Sequence, residues 1–391
     1  MRIVLACQSY PPMISGAALV AGRLAEGLAQ RGHPVLVLAA SDRGPAYQAE
    51  DRGVHLIRLV SLPNPFRVGQ RFTLWPGRAV QAALRAFRAD VVHAHDPLGV
   101  GLAVLREAWR RQIPTALTLH QLPWFISATL PAWSLPLARP LEAAAWGQFR
   151  WLGRHVSRLV TPSAAIAAIV RAHGAGDPLA ISNGVDLERF QPASQAPNEA
   201  AALCRRYGLD PGRPVILHVG RLDADKRVDV VLRAAAHAVK LVDAQVVVVG
   251  DGRQRPALEA LSRALALPAR FTGFVSAGGD LPALYRLAAV FITASEVEIQ
   301  SSVTLEAAAA GRPVVAVRAS SMAEFVQDGS TGYLAAPGSA EELGGRLAEL
   351  LRDPERAQAM GRAGRALAER HPPQASLAEH EALYQTLMAA A

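Results

Sequence analysis

Residues 244–261 read AQVVVVGDGRQRPALEAL. Four consecutive valines leave neither side of the segment for water, so it reads as a strand buried on both faces. Gly250-Asp251-Gly252 turns the chain, and a helical segment follows. Strand, glycine turn and helix make the unit from which a parallel sheet covered by helices is built.

The same rhythm extends in both directions. Upstream, short apolar runs at Ile3–Ala6, Pro34–Ala39, Val54–Leu59, Asp90–His93 and Thr115–Leu119 read as strands, with longer periodic segments such as Ala17–Arg31 between them. It restarts at Pro214–Val219 and continues through Ala244–Val249, Ala269–Thr272, Val290–Thr293 and Pro313–Val317. Two sets of this kind predict two doubly wound α/β domains. A chain of 391 residues is too long for one ordinary core, which agrees. The expected division is residues 1–190, residues 191–372, and a last helix over residues 373–391 placed to return to the first domain. Residues 191–213, rich in Pro, Ser and Asn at their start, read as the linker.

Composition narrows the class. Half of the chain is hydrophobic, which excludes a disordered protein. Two distant cysteines, Cys7 and Cys204, give no disulfide framework and favour a reducing cytoplasm. MRIVLACQSYPP is too short and too soon broken by proline for a signal peptide, and no apolar run is long enough to span a bilayer. The net charge of +8 is lopsided: residues 1–190 carry 20 Arg against 11 acids, and the rest carry 21 basic against 22 acidic residues. An anionic partner would therefore meet the first half.

In open parallel sheets, ligands bind beyond the carboxyl ends of the strands. After Pro214–Val219 comes Gly220-Arg221-Leu222-Asp223-Ala224-Asp225-Lys226. Glycine allows a sharp turn, and Arg221 with Lys226 offers a fork and a point charge to a diphosphate. Lys226 is one of two lysines in an arginine-writing chain. Asp223 and Asp225 resemble a metal-binding pair, but a charged loop or a helix start explains them as well, so no metal is assigned. Gly250 and Gly252 would permit close approach of a ligand. Gly273-Phe274-Val275 is either an apolar floor for a base or a turn with a core Phe.

Residues 295–317 read SEVEIQSSVTLEAAAAGRPVVAV, with seven residues between Glu298 and Glu306. Ser301 or Ser302 can cap a helix ending near Gly311. Free N–H groups at its start suit an anion, and Glu306, about one turn in, can accept two hydrogen bonds from a ribose diol. Glu298, on the loop before, can reach the other end of the same ligand. Taken singly, each Glu is also explained by the helix dipole.

These residues carry a resemblance. The GRL–K loop, the GDG turn, FTGFV, the paired glutamates, LEAAAAGRPVVAV and AEFVQDGSTGYL are similar to the second domain of retaining glycosyltransferases of family 4, which have the two-Rossmann GT-B fold with its domains facing across a cleft. SGAALVAGRLAEGLAQRGHPVLVLA, VVHAHDP, TALTLH, VTPSAAI and ISNGVDLERF resemble the first domain. The resemblance implies that Arg221 and Lys226 neutralise the departing diphosphate, Glu306 holds the ribose, and Glu298 contacts the donor sugar. It implies that His120 lies near the reacting sugar and Gly16 faces the phosphates. Gly220, Gly250, Gly252, Phe274 and the loop Ile299-Gln300-Ser301-Ser302 would complete the donor site. The chain departs from the family at Gly16-Ala17, where two glycines are frequent, at the glycine-free Ile299–Ser302 loop, and at Gln121.

The implied reaction retains anomeric configuration, with the leaving phosphate taking the acceptor's proton. The donor is a UDP- or GDP-linked sugar and no metal or other cofactor is needed. For the acceptor, all six tryptophans fall between Trp75 and Trp151. Arg106, Arg110 and Arg111 surround Trp109. Arg150, Arg154 and Arg158 recur every four residues, read as one helix face, with Trp146, Phe149 and Trp151 nearby. Aromatic residues with arginine suit anionic headgroups, and the segment resembles family members that glycosylate diacylglycerol-type lipids. A protein core with a solvated basic face is the competing account. The expectation is a peripheral enzyme on the cytoplasmic membrane face with a lipid acceptor. A soluble or polysaccharide-precursor acceptor, a nucleotide-sugar epimerase, a sugar phosphorylase and a non-catalytic sensor are the alternatives. Nucleic acid fits poorly, because no recognition motif accompanies the charge. His93 and His95 lack the partners of a metal site.

Overall fold

The computed structural model describes residues 1–13, 15–64, 69–73, 76–129, 135–192 and 197–390. They form two compact units. One comprises Met1–Pro123, Pro136–Asn183 and Gln374–Ala391, and the other Trp124–Leu135 and Gly184–Pro373. The chain passes between units after Asn183, where the sequence reading drew its line at 190.

The second unit holds a six-stranded sheet in the order Ala269–Gly273, Gln245–Val249, Val215–Val219, Val290–Ile292, Val314–Val317, Gly332–Ala335, every neighbouring pair parallel. Its strands are short and apolar because both faces are covered. Alternate residues divide between two cores, as a pleated strand requires. Ile216, Val246, Val248, Val290, Ile292, Val315 and Val317 pack with helices Val228–Val239 and Ala340–Arg352. Leu217, Val247, Val249, Phe291, Val314 and Ala316 pack with helices Leu281–Leu287 and Ser302–Ala309. The helix after Val215–Val219 therefore lies on one face, and the helix after its neighbour Val290–Ile292 on the other. That reversal defines the crevice where doubly wound sheets bind ligands.

The first unit has an eight-stranded sheet, ordered Leu179–Ala180, Arg158–Thr161, Thr115–Thr118, Val91–Ala94, Ile3–Cys7, Val35–Ala40, Val54–Leu59, Tyr47–Asp51. The sheet is parallel except for its last pair. Here the reversal falls between Ile3–Cys7 and Val91–Ala94. The helix Pro373–Ala389 lays Leu383, Tyr384 and Leu387 into the core of this sheet, beside Ile3, Leu5, Val35 and Val37. Glu381 adds rim contacts, 2.5 Å from Arg31 and 2.7 Å from His33. Rim ion pairs contribute at most about 1 kcal/mol, so the buried apolar face is the main anchor.

Three expectations are corrected. The strand Tyr47–Asp51 and the strand Gly332–Ala335 were not read from the sequence. The supposed linker holds the helix Pro197–Tyr207, whose Leu203 and Cys204 are buried in the second core. Its residues 193–196 lie outside the described residues. Arg158 opens a strand, whereas the helix carrying Arg150 and Arg154 ends at His155, so the three do not share a helix face.

Truncating Leu383 removes apolar contact from a core it shares with the first strand. Leu383→Ala is expected to lower stability by about 2–4 kcal/mol in urea unfolding. A loss below about 0.5 kcal/mol would mean that this helix face is not part of the core.

Candidate active site

In the second unit, the candidate residues gather at the sheet's reversal point. Arg221 and Lys226 follow Val215–Val219, and Glu298 follows the adjacent Val290–Ile292. Lys226 Nζ donates to Glu298 Oε1 at 2.6 Å, joining the two loops directly. Both side chains are largely buried, at 20% and 12% exposure. Burial alone would lift the Glu298 carboxyl. The Lys226 ammonium, a hydrogen bond from Ser295 and the Arg221 charge outweigh it and hold the pKa below its ordinary value.

Arg221 is forked between carboxylates. One nitrogen bonds Asp223, and the other lies 2.8 Å from Asp225 Oδ2. The same Asp225 oxygen lies 3.8 Å from Lys226 Nζ. Asp225, with a side chain 1% exposed, therefore faces both cations. The sequence weighed Asp223 and Asp225 for metal; their partners here are cations. Among the described residues no group of three metal-ligating side chains occurs.

The helix Ser302–Ala309 begins after this loop, with Ser301 at its N-cap in extended conformation. The Ser301 hydroxyl accepts a hydrogen bond from Thr304 Oγ1 at 2.8 Å, so it does not cap a backbone N–H. Glu306 lies one turn into the helix, at the start of its second turn. Tyr285, fully buried, donates its hydroxyl to Glu306 Oε2 at 3.0 Å and orients it. Sequence reading missed Tyr285, because the contact joins positions 21 residues apart on different helices. Of this loop, Ile299, Gln300 and Ser301 are buried, while Ser302 is partly exposed.

The glycines divide by cause. A Cβ on Gly250 would lie 1.8 Å from the Gly220 carbonyl oxygen, at a φ of +134°. One on Gly252 would lie 2.5 Å from the Leu222 carbonyl oxygen. Close packing of these two loops already requires both glycines. Gly220 sits 3.3 Å, measured from its would-be Cβ, from His218 Nε2. Phe274 is 58% exposed at the end of its strand, which removes the core reading for it.

The first unit carries the remaining candidates. Gly16 opens the helix Gly16–Gln30, whose N-cap Ser15 accepts from Ala18 N at 3.1 Å. A Cβ on Gly16 would meet nothing within 4 Å, so internal packing does not demand glycine there. Asp96, after Val91–Ala94, accepts from Gln8 N at 2.7 Å and Gly101 N at 3.2 Å, tying together the loops at this sheet's reversal. Burial pushes its carboxyl up to about 7 against those N–H groups. His120, just past Thr115–Thr118, is partly buried and hydrogen-bonded to His95. Burial lowers its pKa to about 4, so it is neutral at pH 7.

The aromatic and basic residues separate. Trp146 and Phe149 are buried, with Trp146 stacked on His173 at 3.9 Å. Trp109 and Trp151 meet edge to face at 5.5 Å. Both lie toward the amino ends of the strands, away from the ligand edge. Trp75 and Trp133 are outside the described residues. Exposed leucines that the sequence reading did not single out include Leu98, which follows the strand Val91–Ala94, and Leu137 and Leu141, near the start of the helix Leu135–His155, at 58%, 60% and 50% exposure.

Comparison with known proteins bears on both units. Residues 202–367 match the family described as Glycosyl transferases group 1, and residues 14–189 match Glycosyltransferase Family 4. The chain is 30% identical over 351 residues to the sulfoquinovosyl transferase SQD2 of Arabidopsis thaliana, spanning 88% of this chain and 65% of the plant protein. It is 32% identical to a GDP-mannose-dependent alpha-mannosyltransferase of Mycobacterium tuberculosis (strain CDC 1551 / Oshkosh), spanning 91% and 89%. It is 26% identical to the alpha-monoglucosyldiacylglycerol synthase of Acholeplasma laidlawii, again spanning 91% and 89%. The fold is shared with Anabaena Alr3699/HepE, solved with UDP and glucose, at a TM-score of 0.75 and 20% identity over 99% of both chains.

Glu298→Gln leaves Lys226 largely buried without this counter-charge, and should cost about 3 kcal/mol or more at pH 7. Because the native pKa of Glu298 is lowered, the wild type's advantage is complete above its ordinary 4.5 and is lost as pH falls through the native value. Urea unfolding of both proteins at pH 7 and at about pH 3 should show the gap closing. Equal stabilities at pH 7 would contradict the pair.

Proposed function

The chain belongs to glycosyltransferase family 4 and is a hexosyltransferase of the two-Rossmann GT-B fold; from that premise we propose that it moves a hexose, with retention, from a nucleoside-diphosphate sugar to the hydroxyl of a membrane lipid. The carrying observation is the meeting of Arg221, Lys226 and Glu298 at the reversal point of the second sheet.

A diphosphate arriving there competes with Asp223, Asp225 and Glu298 for the two cations. Once engaged, Arg221 and Lys226 stabilise the charge that grows on the leaving group as the glycosidic bond lengthens. Glu306, held by Tyr285, accepts from the ribose diol. Glu298, released from Lys226, turns its carboxylate to sugar hydroxyls. The exposed face of Phe274 and the Gly250 and Gly252 turns form the base side of the pocket, and the loop Ile299–Ser302 floors it. For Gly16 and His120 the family resemblance alone assigns the phosphates and the reacting sugar. The acceptor proton passes to the departing phosphate on the same face, so no carboxylate nucleophile is assigned. Arg221 and Lys226 supply the positive charge a metal ion would otherwise supply, so turnover is expected to persist in EDTA.

The lipid acceptor rests on the exposed leucines and on the basic first half. Leu137 and Leu141 are spaced as neighbours on one helix face. That pattern suits a peripheral site at the acyl–headgroup boundary of a cytoplasmic membrane face. No helix among the described residues is long and apolar enough to cross a membrane. The diacylglycerol named in one relative supports the same acceptor class.

Lys226→Ala and Arg221→Ala should each lower turnover about 10²–10³-fold, read as nucleoside diphosphate released from UDP-glucose or GDP-mannose. Unchanged rates would place the donor elsewhere, and an inverted anomeric product by NMR would overturn retention. Leu137→Asp with Leu141→Asp should abolish sedimentation with anionic diacylglycerol vesicles. Equal activity on a soluble acceptor with no vesicle binding would replace the lipid reading.

A further inference from the structure

Three histidines line up across the central strands of the first unit. His93 and His95 lie two positions apart and so project to the same side, with ring centroids 4.4 Å apart. His120 follows the adjacent strand, and its ring stacks on His95 at 5.3 Å and 11°. His95 Nδ1 lies 3.0 Å from His120 Nε2. His93 is fully committed elsewhere: Nδ1 pairs with the Tyr384 hydroxyl and Nε2 with Thr118 Oγ1, each at 2.7 Å.

The remaining nitrogen of His95, Nε2, is buried and has no hydrogen-bond partner among the described residues. Burial, with His93, His120 and His380 nearby, drives His95 well below its ordinary pKa, and His120 is lowered likewise. Both rings are neutral at pH 7, so a single hydrogen lies in the contact between them. Placed on His120 Nε2, it forces the hydrogen of His95 onto Nε2, leaving a buried N–H with nothing to donate to. Placed on His95 Nδ1, it leaves only a bare lone pair there. Orphaned buried donors are the rarer and costlier outcome. The hydrogen bond at one ring nitrogen then decides the other.

We infer that His95 is a positioning residue that holds His120 in the tautomer bearing its hydrogen on Nδ1. His120 then offers an N–H donor at its second nitrogen, which makes no hydrogen bond among the described residues. A donor suits an oxygen lone pair of the bound sugar and cannot serve as a base. This inference rests on the reading of His120 as the residue beside the reacting sugar.

The test combines tautomer and turnover. In ¹⁵N-histidine-labelled protein, long-range ¹⁵N–¹H correlations identify which nitrogen of His120 is protonated, with His120→Gln supplying the assignment. Wild type should show Nδ1–H. His95→Asn keeps an N–H donor near the Nδ1 position and should preserve both tautomer and turnover. His95→Leu should let His120 revert to the Nε2–H form that free imidazole favours, and lower nucleoside diphosphate release from UDP-glucose or GDP-mannose about tenfold. Nε2–H on His120 in the wild type overturns the inference, and this reading does not depend on either His95 variant. A shifted tautomer in His95→Leu with unchanged release upholds the positioning contact and overturns the role given to His120.

Discussion

Each sheet is fastened at its reversal point by one carboxyl group, partly buried in the first unit and largely buried in the second, reaching across to the neighbouring loop. In the second unit Glu298 takes Lys226, and in the first Asp96 takes the backbone N–H of Gln8. These contacts sit where adjacent strands send their helices to opposite faces, so no helix covers the gap. A buried ion pair gives little net stability, because desolvation offsets most of its attraction. Its effect is geometric: it sets the separation of two loops that otherwise share no backbone ladder beyond the strand ends. The candidate site inherits its shape from that separation.

The fold was legible where burial on both faces leaves a simple mark. Val246–Val249 and Val314–Val317 are apolar throughout because neither side of either strand meets solvent. Tyr47–Asp51 was missed for the opposite reason. It is an antiparallel edge strand whose residues YQAED stay largely exposed, so no apolar run announces it. Gly332–Ala335 is short and begins with glycine, a turn signal in isolation. That glycine is there because a Cβ would lie 1.9 Å from the Val314 carbonyl oxygen of the neighbouring strand, a tertiary fact with no local trace. Pro197–Tyr207 was hidden by the Pro and Asn that precede its amphipathic face.

The candidate site was legible as residue types and spacing, and less so as partnerships. Arg221, Lys226 and Glu298 stand on loops that follow strands, as read from the sequence. What the chain does not announce is that the cations are already occupied: Asp225, five residues after Gly220 in sequence, faces Arg221 and Lys226 together from a buried position. His95 shows the same limit. Its place beside His120 comes from two strands being adjacent in the sheet, although 25 residues separate them along the chain. Regular spacing also misled once, since Arg158 keeps the four-residue beat of Arg150 and Arg154 after the helix has ended.

The helix Pro373–Ala389 has a consequence for how the protein is made. The sheet it closes begins at Ile3, so the strand that leaves the ribosome early waits for Leu383, Tyr384 and Leu387 to emerge. Throughout translation of the second unit, the apolar surface beneath that helix stays open to solvent. The nascent first unit is therefore a natural client for chaperones until the tail arrives, and a stalled or clipped chain leaves it unsealed.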